Sequence, residues 1–211
     1  MYVHVNAAMS VDGKLSTRRR EQLRISGPAD GARVGQIRAE VDAIVVGVGT
    51  VLADDPSLTP PGTGELVRVV LDSRARTPVD AAVLDGDQPT VICTSAAARP
   101  ERLADLADAG ASVVTAGEER VDPIRAFASL QEDMGVDRVL VEGGGEVIFS
   151  LFEADLVDEL TVFVGPLVVG GRDAPTLADG DGFVSDFPEL SLERTEPVDG
   201  GVVLYWRVER E

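Results

Sequence analysis

Short runs rich in β-branched residues alternate with longer stretches of helical periodicity, and this alternation restricts the fold more than any single motif does. Strands are predicted at 3–8, 43–48, 68–71, 90–93, 112–115, 138–141, 159–164 and 201–208, and helices at 29–40, 100–109, 122–132 and 146–154. Pro28 and Pro100 supply a fixed φ at or near the first helical turn. Several strands are apolar without alternation, which is expected where helices cover both faces of a mostly parallel sheet. The class is therefore α/β, and neither a sandwich nor a helical bundle fits. The turn-rich segment at 59–65 and the weakly periodic stretch that begins at Gly180 do not read as linkers, and no internal repeat is visible. One domain over residues 1–211 is expected.

Charge narrows the partners. Thirty-seven acidic residues against 19 basic ones leave a formal charge of −18, a potential that repels nucleic-acid backbones and anionic lipid surfaces. Lys14 is the single lysine. Dense carboxylates with almost no lysine match proteins of salt-loving cells, where ionic strength screens the repulsion. A GC-rich genome also favours Arg and Asp codons, but codon bias alone does not explain the charge imbalance. The apolar runs at 43–48 and 160–164 fall far short of the ~20 residues of a membrane-spanning helix, and the start of the chain lacks the pattern of a secretory signal. A cytoplasmic location, with no membrane and no nucleic-acid partner, is expected.

Three strand ends carry candidate chemistry. VLVEGGGEVI at 139–148 leaves a strand through three glycines into a helix. Such a junction lets backbone approach a pyrophosphate, and the N–H groups and dipole at the helix start attract the anion. A tight turn is the plain alternative, and the spacing is not that of the dinucleotide fingerprint. Glu142 would project at the carboxyl end of its strand, where open α/β sheets bind ligands, or it is a solvated turn carboxylate. AIVVGVGTVLADDPSLT at 43–59 also leaves a strand through glycines. There Thr50 offers a hydroxyl to a ribose or phosphate, and Asp54 with Asp55 are either ligand acceptors or an ordinary turn before proline, the commoner reading by spacing alone. In LDSRAR at 71–76, Ser73 and Arg74 suit an extra phosphate, which favours NADP over NAD, although surface solvation is the commoner reading of any one such arginine.

Other chemistries are missing. His4 is the only histidine and Cys93 the only cysteine, so no zinc-deaminase ligand set can be assembled and no metal site is expected. His4 reads as structural and Cys93 as a buried strand thiol. No nucleophile elbow and no Walker lysine are present. A cofactor-driven reaction on a small molecule is what remains.

With VNAAMSVDGKLS at 5–16, these segments resemble the riboflavin-biosynthesis reductase family, the reductase domain of RibD type with a dihydrofolate-reductase-like fold. The resemblance extends from Val5 to Gly171 and rests on four motifs in order. It implies NADPH-dependent reduction of 2,5-diamino-6-ribosylamino-4(3H)-pyrimidinone 5′-phosphate, whose opened ribose accepts hydride at C1′ and becomes a ribityl chain. Bacterial members usually carry a fused zinc deaminase, and this chain has no ligands for one. It is similar instead to the free-standing archaeal and fungal branch.

Carried over by motif, the resemblance implies cofactor contacts from Ala8, Thr50, Asp54, Leu71, Asp72, Ser73, Arg74, Gly143, Gly144, Gly145 and Glu146. It implies substrate contacts from Asn6, Arg38, Leu58 and Glu142, with Arg38 facing the 5′-phosphate. Fused bacterial relatives often carry an arginine just beyond Ser-Leu-Thr, where this chain has Pro60 and Pro61, so a second phosphate ligand is sought in Arg24. Asp54 or Glu142 is expected to orient or protonate the imine during hydride transfer. A homodimer is implied as well. Two other readings stay open: the same fold and cofactor acting on another pterin or pyrimidine, and a nucleotide-binding protein without catalysis.

Overall fold

The structure, a computed structural model, describes residues 1–21, 23–59 and 66–210. Its strands are β1 (Tyr2–Ser10), β2 (Ala43–Gly47), β3 (Val67–Leu71), β4 (Thr90–Thr94), β5 (Ser112–Thr115), β6 (Arg138–Val141), β7 (Glu159–Gly165), β8 (Leu190–Val198) and β9 (Gly201–Val208). The helices are α1 (Pro28–Arg38), α2 (Val48–Asp54), α3 (Pro100–Asp108), α4 (Pro123–Met134) and α5 (Gly145–Glu153), with a 3-10 turn at Ala82–Leu84. All eight expected strands and all four expected helices are present, and their ends agree within two residues. The fold is α/β with a mostly parallel sheet.

Local chemistry sets the helix ends. The Asp122 carboxylate accepts from the N–H groups of Ile124 and Arg125 at 3.0 and 3.2 Å, Pro123 opens α4, and Gly135 closes it at φ 70°.

The chain forms two compact units. The first comprises Arg38–Val139 with Met1. Its strands run in the order β5-β4-β3-β2, followed by the first half of β6. The β2–β3, β3–β4 and β4–β5 pairs are all parallel, so Gly47 lies opposite Leu71 and Leu71 opposite Cys93. Ile44, Val45, Val69, Val70, Ile92, Leu106 and Leu130 are fully buried in this unit. Apolar burial of that kind contributes about 1.5–3 kcal/mol per large side chain. The second unit comprises Tyr2–Ile37 and Leu140–Glu211. From the second half of β6 its order is β1-β7-β9-β8, with β1 and β7 parallel and the last two pairs antiparallel. Ile25, Phe163, Val203 and Tyr205 form a buried cluster there.

Two elements depart from the sequence reading. Residues 190–198, within the stretch read as weakly periodic, form β8. A register shift between Leu192 and Arg194 interrupts its alternation, Pro197 sits in it, and most of its residues are exposed, as suits an edge strand. Residues 48–54 were expected as the last strand residue and a loop, yet they form α2. Seven residues with a glycine at the second position are too few to display helical periodicity.

Candidate active site

In the second unit, β6 ends at Val141 and α5 begins at Gly145. Gly143 has φ 114°, which an L side chain rarely adopts, and the Gly143–Gly144 peptide is cis. Gly144 is the N-cap and contributes no side-chain cap. Among the described residues, none accepts from the N–H groups of Gly143, Gly144 or Gly145. Unpaired amides at a helix start are the donors that an anionic oxygen satisfies.

Gly145 is required for a second reason. A Cβ there would lie 2.3 Å from the Thr176 carbonyl oxygen and 2.8 Å from Asp179 Oδ2. The turn at 176–179 is locked to the helix start: the Asp179 N–H donates to the Gly145 carbonyl at 3.1 Å, and the Asp179 carboxylate accepts from the Thr176 N–H and hydroxyl. The sequence reading missed this turn. Its only signal, a Thr-x-x-Asp spacing, lies just before Gly180, where no periodicity frames it.

In the first unit, the Gly47–Leu71 register brings the carboxyl ends of β2 and β3 side by side. Thr50 and Asp54 are four residues apart on α2 and so share one face of it. The two adjacent acids then separate in role. Asp55, at φ 42°, closes the helix, and its carboxylate accepts from the Ala82 N–H at 2.8 Å. Asp54 has no hydrogen-bond partner among the described residues. Its surface is open, yet desolvation by nearby protein atoms raises its pKa above the ordinary carboxylate value.

The turn after β3 behaves differently from the expectation of a ligand loop. Leu71 is buried. Asp72 is fully buried, and its Oδ2 accepts from the Thr77 N–H and hydroxyl at 2.7 and 2.8 Å. Its side chain shapes the turn and is not presented outward. Ser73 Oγ accepts from the Val121 N–H at 3.0 Å. Arg74 is exposed and donates to the Ala97 carbonyl at 3.2 Å and to Glu119 at 2.8 Å, so an incoming phosphate competes only with a weak surface ion pair.

The remaining expected residues fall as follows. Asn6 is buried on β1 and accepts from Arg33 Nη2 at 2.8 Å, a partner that the sequence reading did not name. Ala8 is half-buried on the same strand, Arg24 is exposed, and Arg38 ends α1 half-buried. Leu58 is buried at φ 49°. Glu142 is half-buried and Glu146 exposed. Pro60 and Pro61 lie outside the described residues.

His4 is buried with Nε2 2.7 Å from Thr161 Oγ1, and Cys93 is the buried strand thiol expected, with burial pushing its pKa up to about 12. Among the described residues, no group of three or more His, Cys, Asp or Glu residues can hold a metal ion, and no helix is long and apolar enough to cross a membrane.

Residues 1–204 match the RibD C-terminal domain model. The chain belongs to the RibD C-terminal domain family. It is 44% identical over 215 residues to the 2,5-diamino-6-ribosylamino-4(3H)-pyrimidinone 5′-phosphate reductase of Methanothermobacter thermautotrophicus, covering 98% of each chain. To the protein of the same name from Archaeoglobus fulgidus it is 41% identical over 222 residues, covering 99% of each. Among solved structures, the RibD-type fold matches Acinetobacter baumannii RibD with a TM-score of 0.81 at 24% identity. That match covers 99% of this chain and 58% of the other. The Saccharomyces cerevisiae riboflavin biosynthesis reductase Rib7 matches with a TM-score of 0.71 at 21% identity, covering 99% and 90%. At such identities the solved structures speak for the RibD-type fold alone.

Proposed function

We propose that this chain is an oxidoreductase that uses NADPH to reduce the ribosyl side chain of 2,5-diamino-6-ribosylamino-4(3H)-pyrimidinone 5′-phosphate to the ribityl form in riboflavin biosynthesis. The observation that carries this reading is the likeness, over nearly the whole length of both partners, to two archaeal reductases of that name. The amides of Gly143, Gly144 and Gly145, which have no acceptor among the described residues and lie on a helix start with no side-chain cap, fit the diphosphate of a nicotinamide dinucleotide.

When bound, NADPH supplies the hydride. Gly143, Gly144, Gly145 and Glu146 would hold the diphosphate, and Thr50, Asp54, Leu71, Asp72 through its backbone, Ser73 and Arg74 would be the further cofactor contacts. Ala8 lines the cofactor's surroundings. Arg74, once released from Glu119, gives the preference for NADPH over NADH. Asn6, Arg24, Arg38, Leu58 and Glu142 face the substrate.

The substrate's opened ribose presents C1′ as an imine carbon, which takes the hydride as its nitrogen takes a proton. Asp54 or Glu142 orients or protonates that nitrogen, and desolvation favours the protonated form of Asp54. Positioning supplies the rest of the rate and needs no histidine. Residues 1–211 act as one reductase domain, as a homodimer, in the cytoplasm of a cell with a saline interior.

The test is the loss of absorbance at the reduced-nicotinamide band with purified pyrimidine substrate, at low and multimolar salt, with NADPH and with NADH. Oxidation of NADPH in preference to NADH, faster in high salt, is expected. No oxidation with this substrate under any salt condition rejects the reading.

A further inference from the structure

Arg33 stands out in the second unit because it is held in place by three neighbours and is still incompletely paired. Its side chain is 13% exposed and lies on α1 one turn after Asp30, whose own side chain is 3% exposed. Nε donates to Asp30 Oδ1 at 2.9 Å, and Nη2 approaches that oxygen at 2.8 Å while donating to Asn6 Oδ1 at 2.8 Å. The guanidinium carbon sits 5.9 Å from the centroid of the buried Tyr205 ring, whose hydroxyl is fixed by Glu196 at 2.9 Å. Asp30 is anchored in turn, since its N–H donates to Asp199 Oδ2 at 2.8 Å.

Arg33 Nη1 is buried and has no hydrogen-bond partner among the described residues. A buried donor left unmade opposes folding, so this arrangement is poorly explained by stability. Its consequence for Asn6 is more telling. The amide oxygen is taken by Arg33, and no described residue accepts from Nδ2. The amide is therefore locked with its oxygen inward and its NH2 as the remaining polar group, a donor and not an acceptor.

We infer that Arg33 is a positioning residue for substrate specificity, locking Asn6 so that its amide NH2 reads a carbonyl oxygen of the pyrimidinone ring. This rests on the proposed function, in which Asn6 faces the substrate. The Asp30–Arg33 pair is neutral as a unit, so the neighbourhood of Asn6 offers a neutral acceptor a hydrogen bond and gives a phosphate dianion no net attraction. An amino group on the ring, itself a donor, finds no acceptor on Asn6. The locked amide thus selects the carbonyl edge of the base over its amino edge.

Steady-state kinetics with NADPH test this. Asn6→Asp keeps the partner of Arg33 but removes the donor, and KM for the pyrimidine should rise about tenfold or more, with the NADPH Kd within about twofold of wild type. Arg33→Met frees the amide and should raise KM about three- to tenfold with a smaller change in kcat. Combining Arg33→Met with Asn6→Ala should cost no more than Asn6→Ala alone, because the two act through one contact. Arg33→Gln, which retains a donor for Asn6 Oδ1, should recover KM to within about threefold and serves if Arg33→Met does not fold.

Removing the substrate's 5′-phosphate should raise KM by the same factor in wild type and in the Arg33 variant. An unchanged KM in Asn6→Asp, additive losses in the double variant, or an Arg33 variant indifferent to the 5′-phosphate would each overturn the inference. Wild-type enzyme that does not oxidise NADPH would overturn the functional reading and this inference with it, whereas an active wild type with additive losses overturns the inference alone.

Discussion

Two strand ends with the same expected duty, the junction between β6 and α5 and the turn after β3, meet their hydrogen-bonding needs in opposite ways. At the junction, three consecutive glycine amides find no acceptor among the described residues. After β3, the polar side chains are committed to partners inside the protein: Asp72 to Thr77 in its own turn, and Ser73 to Val121 and Arg74 to Ala97 and Glu119 beyond it. A polar residue at a strand end is therefore a ligand candidate only after its internal obligations are known.

The contrast can be broken most severely at Gly145. Gly145→Val should collide with the Thr176 carbonyl and displace the 176–179 turn, a strain of roughly 1–3 kcal/mol. NADPH affinity should fall by about 10- to 100-fold in a fluorescence titration; retained affinity would show that the junction is not where the dinucleotide is gripped.

Asp54 comes next. Asp54→Asn should lower turnover at least about tenfold while leaving part of the cofactor affinity. The sign of the pH effect follows from its raised pKa. A carboxyl acting as a proton donor is active below its pKa, so kcat should decline as pH rises through a value above the ordinary ~3.9. That limb should vanish in Asp54→Asn, and a limb that persists would assign it to another group, Glu142 first.

Asp72, in the turn after β3, should respond in stability, not in binding. Asp72→Ala strands the Thr77 amide and hydroxyl, at about 2 kcal/mol, or roughly 4–8 °C in Tm for a chain of this size. Calorimetry should show that loss with the NADPH Kd little changed, and a binding loss without a thermal one would reverse the assignment. The smallest effect is expected from Arg74→Ala, an exposed side chain in a weak surface pair. NADPH affinity should drop about threefold in low salt and less in high salt, with NADH unaffected.

Much of this was legible because hydrophobic periodicity is local. The strands from β2 to β7 and helices α3 to α5 each carry their own signal, and the helix expected at 122–132 differs from α4 by no more than two residues at either end. Strand β8 was hidden because an edge strand is half solvated and its bulge breaks the alternation that defines it. Helix α2 was too short to repeat, and without it Thr50 and Asp54 could not be seen to share a face. Arg33 was overlooked for another reason. A three-residue spacing from Asp30 is common on any helix, and only the fold brings it under Asn6, 27 residues away along the chain. The commitments of Asp72 and Ser73 depend on contacts at Thr77 and Val121 that no spacing announces.

Peptide amides neither titrate nor mutate, and this has an evolutionary corollary for the Gly143–Gly145 segment. The charge of the side chains can change freely, and stands at −18 in this chain, without stripping that segment of the groups it offers to an anion. Adaptation of the exterior and conservation of such a foothold are then separate problems, each soluble without disturbing the other.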